Sequence, residues 1–156
     1  MIIDKRPIKF NYSTNRQAIK YIVVHDTGNP NAGADALAHY RYFNSGNRKA
    51  SAHYFVDDKG VVETVENART SWHCGDGRGR FGIYNVNSIG VELCINAGSD
   101  WEKTKANALN LIRFLCETYN IPKSRVVRHY DASRKICPRK MSKNNWAEWW
   151  IFREMI

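Results

Sequence analysis

Apolar and polar positions along the chain change period several times, and each change marks an element. Tyr21-Ile22-Val23-Val24 is an unbroken, β-branched apolar run, which predicts a buried strand ending at His25-Asp26-Thr27. Gly28-Asn29-Pro30-Asn31 interrupts it with turn residues. Between Ala34 and Phe43 the apolar positions Ala36, Leu37, Tyr40 and Phe43 recur at helical spacing, and Ser45-Gly46-Asn47 closes that helix. Ala52 to Val56 and Val61 to Val65 predict two strands joined at Asp57-Asp58-Lys59-Gly60, a composition suited to a hairpin turn.

A Gly- and Arg-rich stretch from about Asn67 to Asn87 carries no period, and loops of that length in a small domain usually serve function. Ser88 to Ile95 is the next predicted strand. Ser99-Asp100-Trp101-Glu102 has the form of a capping box and opens a helix to about Tyr119. Leu109, Ile112, Cys116 and Tyr119 mark its buried stripe, widened by Leu111 and Leu115. Ile121-Pro122 ends that helix, Val126-Val127-Arg128-His129 is a short last strand, and Trp146 to Met155 predicts a terminal amphipathic helix. This order predicts one α/β domain over residues 1–156, its core at about residues 20–141, with a central mixed sheet flanked by helices.

Composition narrows the class. The 156 residues are 43% hydrophobic and 25% charged, an ordinary globular make-up that excludes disorder and suffices for a single core. Charges at Asp4, Lys5, Arg6 and Lys9 leave no apolar stretch for a secretory signal, and no run is long enough for a membrane span. The expectation is a soluble monomer made in the cytoplasm. Cys74, Cys94, Cys116 and Cys137 are widely spaced with no CxxC pair, which disfavours a disulfide framework; Cys94 and Cys116 lie in apolar runs and read as small buried hydrophobes. The net charge is +9, with nine Lys and Arg after Asn120 against Asp131, Glu148 and Glu154. Such a surface suits nucleic acid, anionic lipid or a phosphate-rich cell wall, or simply keeps the chain soluble. No nucleic-acid-binding motif accompanies it.

Location singles out three residues among five histidines and four cysteines. His25 and His129 each end a predicted strand, where α/β proteins tend to place ligands. Cys137 lies in a polar, basic segment that an apolar core does not explain. Two imidazoles and a thiolate form a zinc-type ligand set with a fourth position left for water. Their spacing is not that of a zinc finger, so the fold would have to assemble the site. Glu92 stands inside the apolar run Ile89-Gly90-Val91-Glu92-Leu93, either as a functional carboxylate or as half of a buried salt bridge. His39 on its helix is expected to be structural, and His53, alternating with apolar neighbours, to stand behind a site rather than in it.

Five segments, YIVVHDT, SAHYFVDDKG, SWHCGDG, NSIGVELC and RHYDASRKICP, occur in an order that resembles the type 2 N-acetylmuramoyl-L-alanine amidases, a family that includes the peptidoglycan recognition proteins. The resemblance covers roughly Tyr21 to Met141. It implies zinc held by His25, His129 and Cys137, peptidoglycan as substrate, and hydrolysis of the amide between N-acetylmuramic acid and L-alanine. It implies Glu92 as the proton-transferring carboxylate and Lys135, two residues before Cys137, as the cation facing the oxyanion. Some relatives carry a tyrosine just before the histidine of the second segment; Ala52 stands there in this chain, which adds weight to Glu92. The resemblance places Trp72, His73 and Asn87 along a substrate groove. Non-catalytic binders of the family tend to lose the zinc cysteine, and Cys137 is retained. Two roles fit the missing export signal: a phage or prophage endolysin released through holin-type membrane holes, or a cytoplasmic recycling amidase. The basic surface favours the intact wall.

Overall fold

The computed structural model describes residues 2–156. The described chain runs β1 (Ile3–Lys5), β2 (Tyr12–Ser13), β3 (Tyr21–Asp26), α1 (Ala36–Phe43), β4 (Tyr54–Val56), β5 (Val61–Glu63), β6 (Thr70–Ser71), β7 (Ser88–Leu93), α2 (Trp101–Tyr119), β8 (Val126–Arg128), α3 (His129–Ser133) and α4 (Lys143–Glu154). Six strands form one sheet in the order β1-β5-β4-β7-β3-β8, and β2 pairs with β6 in a small second sheet. Only the β4–β5 hairpin is antiparallel within the large sheet; every other pair in it is parallel. The mixed α/β domain is the architecture that the sequence pattern predicts.

Strand alternation divides the sheet into two faces. Ile22 and Val24 of β3, with Ile89, Val91 and Leu93 of β7, pack in the main core with Leu111, Ile112 and Leu115 of α2 and Trp149 and Phe152 of α4. The intervening residues, Val23 and His25 on β3 and Gly90 and Glu92 on β7, fall on the opposite face. There Ala36 of α1 packs with Phe55, Val62 and Cys94, while Val23 packs with Cys74, Ile83 and Ala132. The register pairs Val23 with Gly90 and His25 with Glu92, so a histidine and a carboxylate stand side by side.

Local differences from expectation have local causes. Strands β1, β2 and β6 escape prediction because they are two or three residues long and take their pairing from distant partners. Predicted strands 52–56 and 61–65 shorten to β4 and β5. The N-cap of α2 is Asp100, whose side chain accepts from Lys103 N, in place of the Ser99 cap. His129 does not end β8 but opens the unpredicted α3. In α4, Asn144, Asn145 and Trp146 take left-handed backbone angles, so regular helix begins close to the predicted Trp146 start.

Candidate metal centre

His25, His129 and Cys137 come together although 112 residues separate the first from the last. All three are buried, and their candidate ligand atoms lie within 4.8 Å of one another. His25 Nδ1 is 3.1 Å from His129 Nδ1 and 3.8 Å from Cys137 Sγ. Burial pushes the Cys137 thiol up, while Lys135 opposes this.

The proton positions on the two imidazoles follow from their partners. His129 Nε2 is 2.7 Å from Asp76 Oδ1, and an ionised carboxylate only accepts, so this nitrogen carries the proton. Burial resists ionisation of Asp76, but the hydrogen bond and charge of His129, helped by Ser133 and Lys135, hold its carboxyl below the usual range. His25 Nε2 lies 3.0 Å from His73 Nδ1, whose other nitrogen lies 3.2 Å from Ser88 Oγ. Ser88 Oγ gives its hydrogen to the Tyr84 carbonyl, which can only accept. His73 Nε2 therefore donates to Ser88, and His73 Nδ1 accepts from His25 Nε2. Burial, then neighbouring His129 and His73, keep His25 well below its ordinary pKa and hence neutral.

Both Nδ1 atoms thus present lone pairs to each other at 3.1 Å with no proton between them. A cation relieves that repulsion. Tetrahedral zinc, with bonds of about 2.0–2.1 Å to nitrogen and 2.3 Å to sulfur, needs edges of about 3.3–3.6 Å. The donor set fits in kind, the two edges from His25 lie within about 0.3 Å of those values, and each imidazole has the outer hydrogen bond typical of metal-bound histidine.

Glu92 Oε1 stands 3.9 Å from His25 Nδ1, and Glu92 Oε2 is buried without a hydrogen-bond partner. Desolvation first, then repulsion from Asp26, push its carboxyl up to about 8, with Lys135 pulling the other way. These residues line a 170 Å³ cleft shared by Trp72, Phe43, Thr27 and Lys135. On one side lies a 320 Å³ pocket with Lys49, Trp72, Asp76 and Asn85. On the other lies an 870 Å³ groove with Trp101, Ile136, Lys135, Arg139 and Lys140.

The remaining sequence candidates divide. Trp72 borders the cleft, its Nε1 donating to Ser13 Oγ. Asn87 does not border it: its side chain is spent inside the loop, donating to Gly82 O and accepting from Tyr84 N. Asn85 is the asparagine on the pocket wall, and its Oδ1 accepts from the backbone of both His73 and Cys74. Sequence reasoning missed Asp76, Asn85 and Thr27, whose buried Oγ1 has no partner in the cleft wall. The available signal was Asp76 within His73-Cys74-Gly75-Asp76, a polar cluster in a loop already marked as functional.

A mixed sheet here gathers two imidazoles, a thiol and a carboxylate into one cleft, a donor set that could hold a metal ion. The chain belongs to the Amidase_2 family, N-acetylmuramoyl-L-alanine amidase, which it matches over residues 15–140. It is 44% identical over 121 residues to the N-acetylmuramoyl-L-alanine amidase CwlH of Bacillus subtilis (strain 168), covering 78% of this chain and 48% of that protein. To XlyA of the same organism it is 43% identical over 121 residues, 78% of this chain and 40% of that protein. The chain therefore spans less than half the length of these relatives. Against the solved catalytic domain of XlyA the TM-score is 0.86 at 38% identity, with 100% of this chain and 99% of that one covered. The Staphylococcus aureus hydrolase AmiA in complex with its ligand shares the fold at 18% identity and a TM-score of 0.74, over 99% of this chain and 82% of that one.

Proposed function

We propose that this chain is a zinc-dependent N-acetylmuramoyl-L-alanine amidase domain that hydrolyses the amide between N-acetylmuramic acid and L-alanine in bacterial peptidoglycan. The observation carrying this is the pair of convergent Nδ1 lone pairs, 3.1 Å apart beside Cys137, in a chain of the amidase family. His25, His129 and Cys137 would hold the ion, which when bound would polarise the amide carbonyl and acidify a water molecule.

Glu92 is the group placed to take the proton from water and return it to the departing L-alanine nitrogen. A divalent cation at the three ligands favours its ionised, basic form. Lys135, exposed at the cleft rim, supplies positive charge where the carbonyl oxygen becomes negative. The balance is simple: water adds across the carbon–nitrogen bond, leaving a muramoyl carboxylate and a free L-alanine amine. Trp72 offers an aromatic wall to the glycan or stem peptide. Lys135, Arg139 and Lys140 line the large groove, and that basic margin suits the anionic wall. The role that follows is an endolysin acting on intact wall after release through membrane holes.

Mass spectrometry of digested walls tests the activity. Free L-alanine amino termini on intact stems support it; newly reducing sugars or cut peptide cross-bridges without them refute it. If charge steers the enzyme to the wall, rising salt slows lysis of whole walls far more than turnover of a soluble muramyl peptide.

A further inference from the structure

Four features around His73 are left unexplained by the chemistry above. Its ring lies against Gly90 of β7, where an added Cβ would meet His73 Cγ at 2.6 Å. Only glycine leaves that seat open. Gly90 is itself held through its backbone, for its N–H donates to His53 Nδ1 at 3.0 Å while its carbonyl accepts from His53 N at 3.1 Å. His53 Nε2 in turn donates to Arg69 O. Both nitrogens of His73 are engaged, one accepting from His25 and the other donating to Ser88, so neither is free for substrate. Arg16 holds the far end by donating to the carbonyls of Asn85 and Ser88.

We propose that His73 is a positioning residue that selects the tautomer of His25, with Gly90 as its seat and Ser88 as the acceptor that sets its polarity. A neutral imidazole carries its proton on either nitrogen, and only the Nε2–H form of His25 turns a lone pair toward His129 and Cys137. The relay from His25 through His73 and Ser88 to the Tyr84 carbonyl runs in one direction, because its last group can only accept. It therefore keeps His25 Nδ1 bare before any ion arrives. The inference rests on the metal-centre reading above, and it moves His73 from substrate contact to metal-ligand support.

The test begins with the unmodified, metal-free protein near pH 8. Long-range proton–nitrogen NMR on the His25 ring should show the proton on Nε2, and a proton on Nδ1 overturns the proposal whatever any variant does. His73→Phe keeps a ring but removes the acceptor, so His25 should become a mixture of tautomers. Zinc affinity, measured by chelator competition, should fall about 10–100-fold. His73→Asn keeps an acceptor oxygen and should recover most of that loss, while KM at saturating zinc should not change in either. Wild-type zinc affinity in a folded His73→Phe protein overturns the proposal. If His73→Phe fails to fold, Ser88→Ala, which removes the acceptor at the relay's far end, decides by the same two readouts. Failure of the wild-type protein to bind zinc would sink the metal-centre reading instead, leaving the tautomer measurement to judge the relay.

Discussion

The two imidazoles of the candidate centre meet at 3.1 Å but are mounted in opposite ways. His25 projects from the interior of the sheet and leans on a neutral, enclosed relay through His73 and Ser88. His129 opens a short helix beside the last strand and leans on Asp76, a carboxylate whose side chain is 47% exposed. The first mount supplies direction without charge. The second supplies direction and a negative charge, raising the basicity of its imidazole. Together a Cys137 thiolate, Asp76 and an ionised Glu92 would offset a divalent ion and the Lys135 cation, so the centre would be close to neutral when filled. A second carboxylate behind His25 would leave excess negative charge in a desolvated place. The contrast shows how a site divides orientation from charge balance.

The largest test breaks the comparison outright. Complete removal of metal by a chelator should abolish wall lysis, and added zinc should restore it; full activity in a sample shown metal-free by elemental analysis would make both mounts irrelevant. Next comes Glu92→Gln, which leaves the mounts alone. Its kcat should fall about 10²–10⁴-fold with zinc content unchanged, and near-normal turnover would remove Glu92 from proton transfer. Asp76→Asn keeps an acceptor for His129 but deletes the charge, so zinc affinity should drop about 10–100-fold. An unchanged affinity would mean that orientation alone matters at both histidines. Gly90→Ala attacks the other mount, because its methyl group collides with the His73 ring. Overpacking there should cost about 1–3 kcal/mol in chemical denaturation, together with weakened zinc binding.

The smallest effect separates the mounts by pH. Asp76 has its folded pKa depressed, so its contribution to stability is present above the unfolded value of about 3.9 and is lost as pH falls through the lower folded value. Exposure of the carboxylate keeps that contribution below about 1 kcal/mol. The unfolding free-energy difference between wild type and Asp76→Asn should therefore shrink in this acid window. The corresponding difference for Ser88→Ala, which removes no titrating group, should stay flat there.

The parts of the molecule written in local pattern were legible. The runs around Val23 and Val91 announced β3 and β7, and helical spacing announced α1 and α2, because burial on a sheet or helix leaves a period in the sequence. His25 and His129 drew notice at predicted strand ends and Cys137 in a polar segment, and the resemblance joined the three into one site. The relay was not legible. Nothing in the spacing of His25, His73 and Ser88 shows that their rings and hydroxyl meet, since that depends on strand register and rotamers. Gly90 sits within the apolar run around Glu92 without a signal of its own, and its meaning appears only with the His73 ring lying on it. Asp76 reaches His129 across 53 residues of chain, a pairing that only tertiary structure reveals.

The position of β3 also bears on how the molecule opens. It is flanked on both sides by parallel strands, and Ile22, Val23 and Val24 are wholly inaccessible. Amide hydrogens along it should exchange with solvent only through global unfolding, whereas β8 is an edge strand of three residues followed by the short α3. Partial opening at that edge would carry away His129 and Cys137 while His25 stays in place. The centre thus joins a strand flanked on both sides to a segment at the sheet edge, and edge-first opening should expose His129 and Cys137 before the amides of β3 exchange.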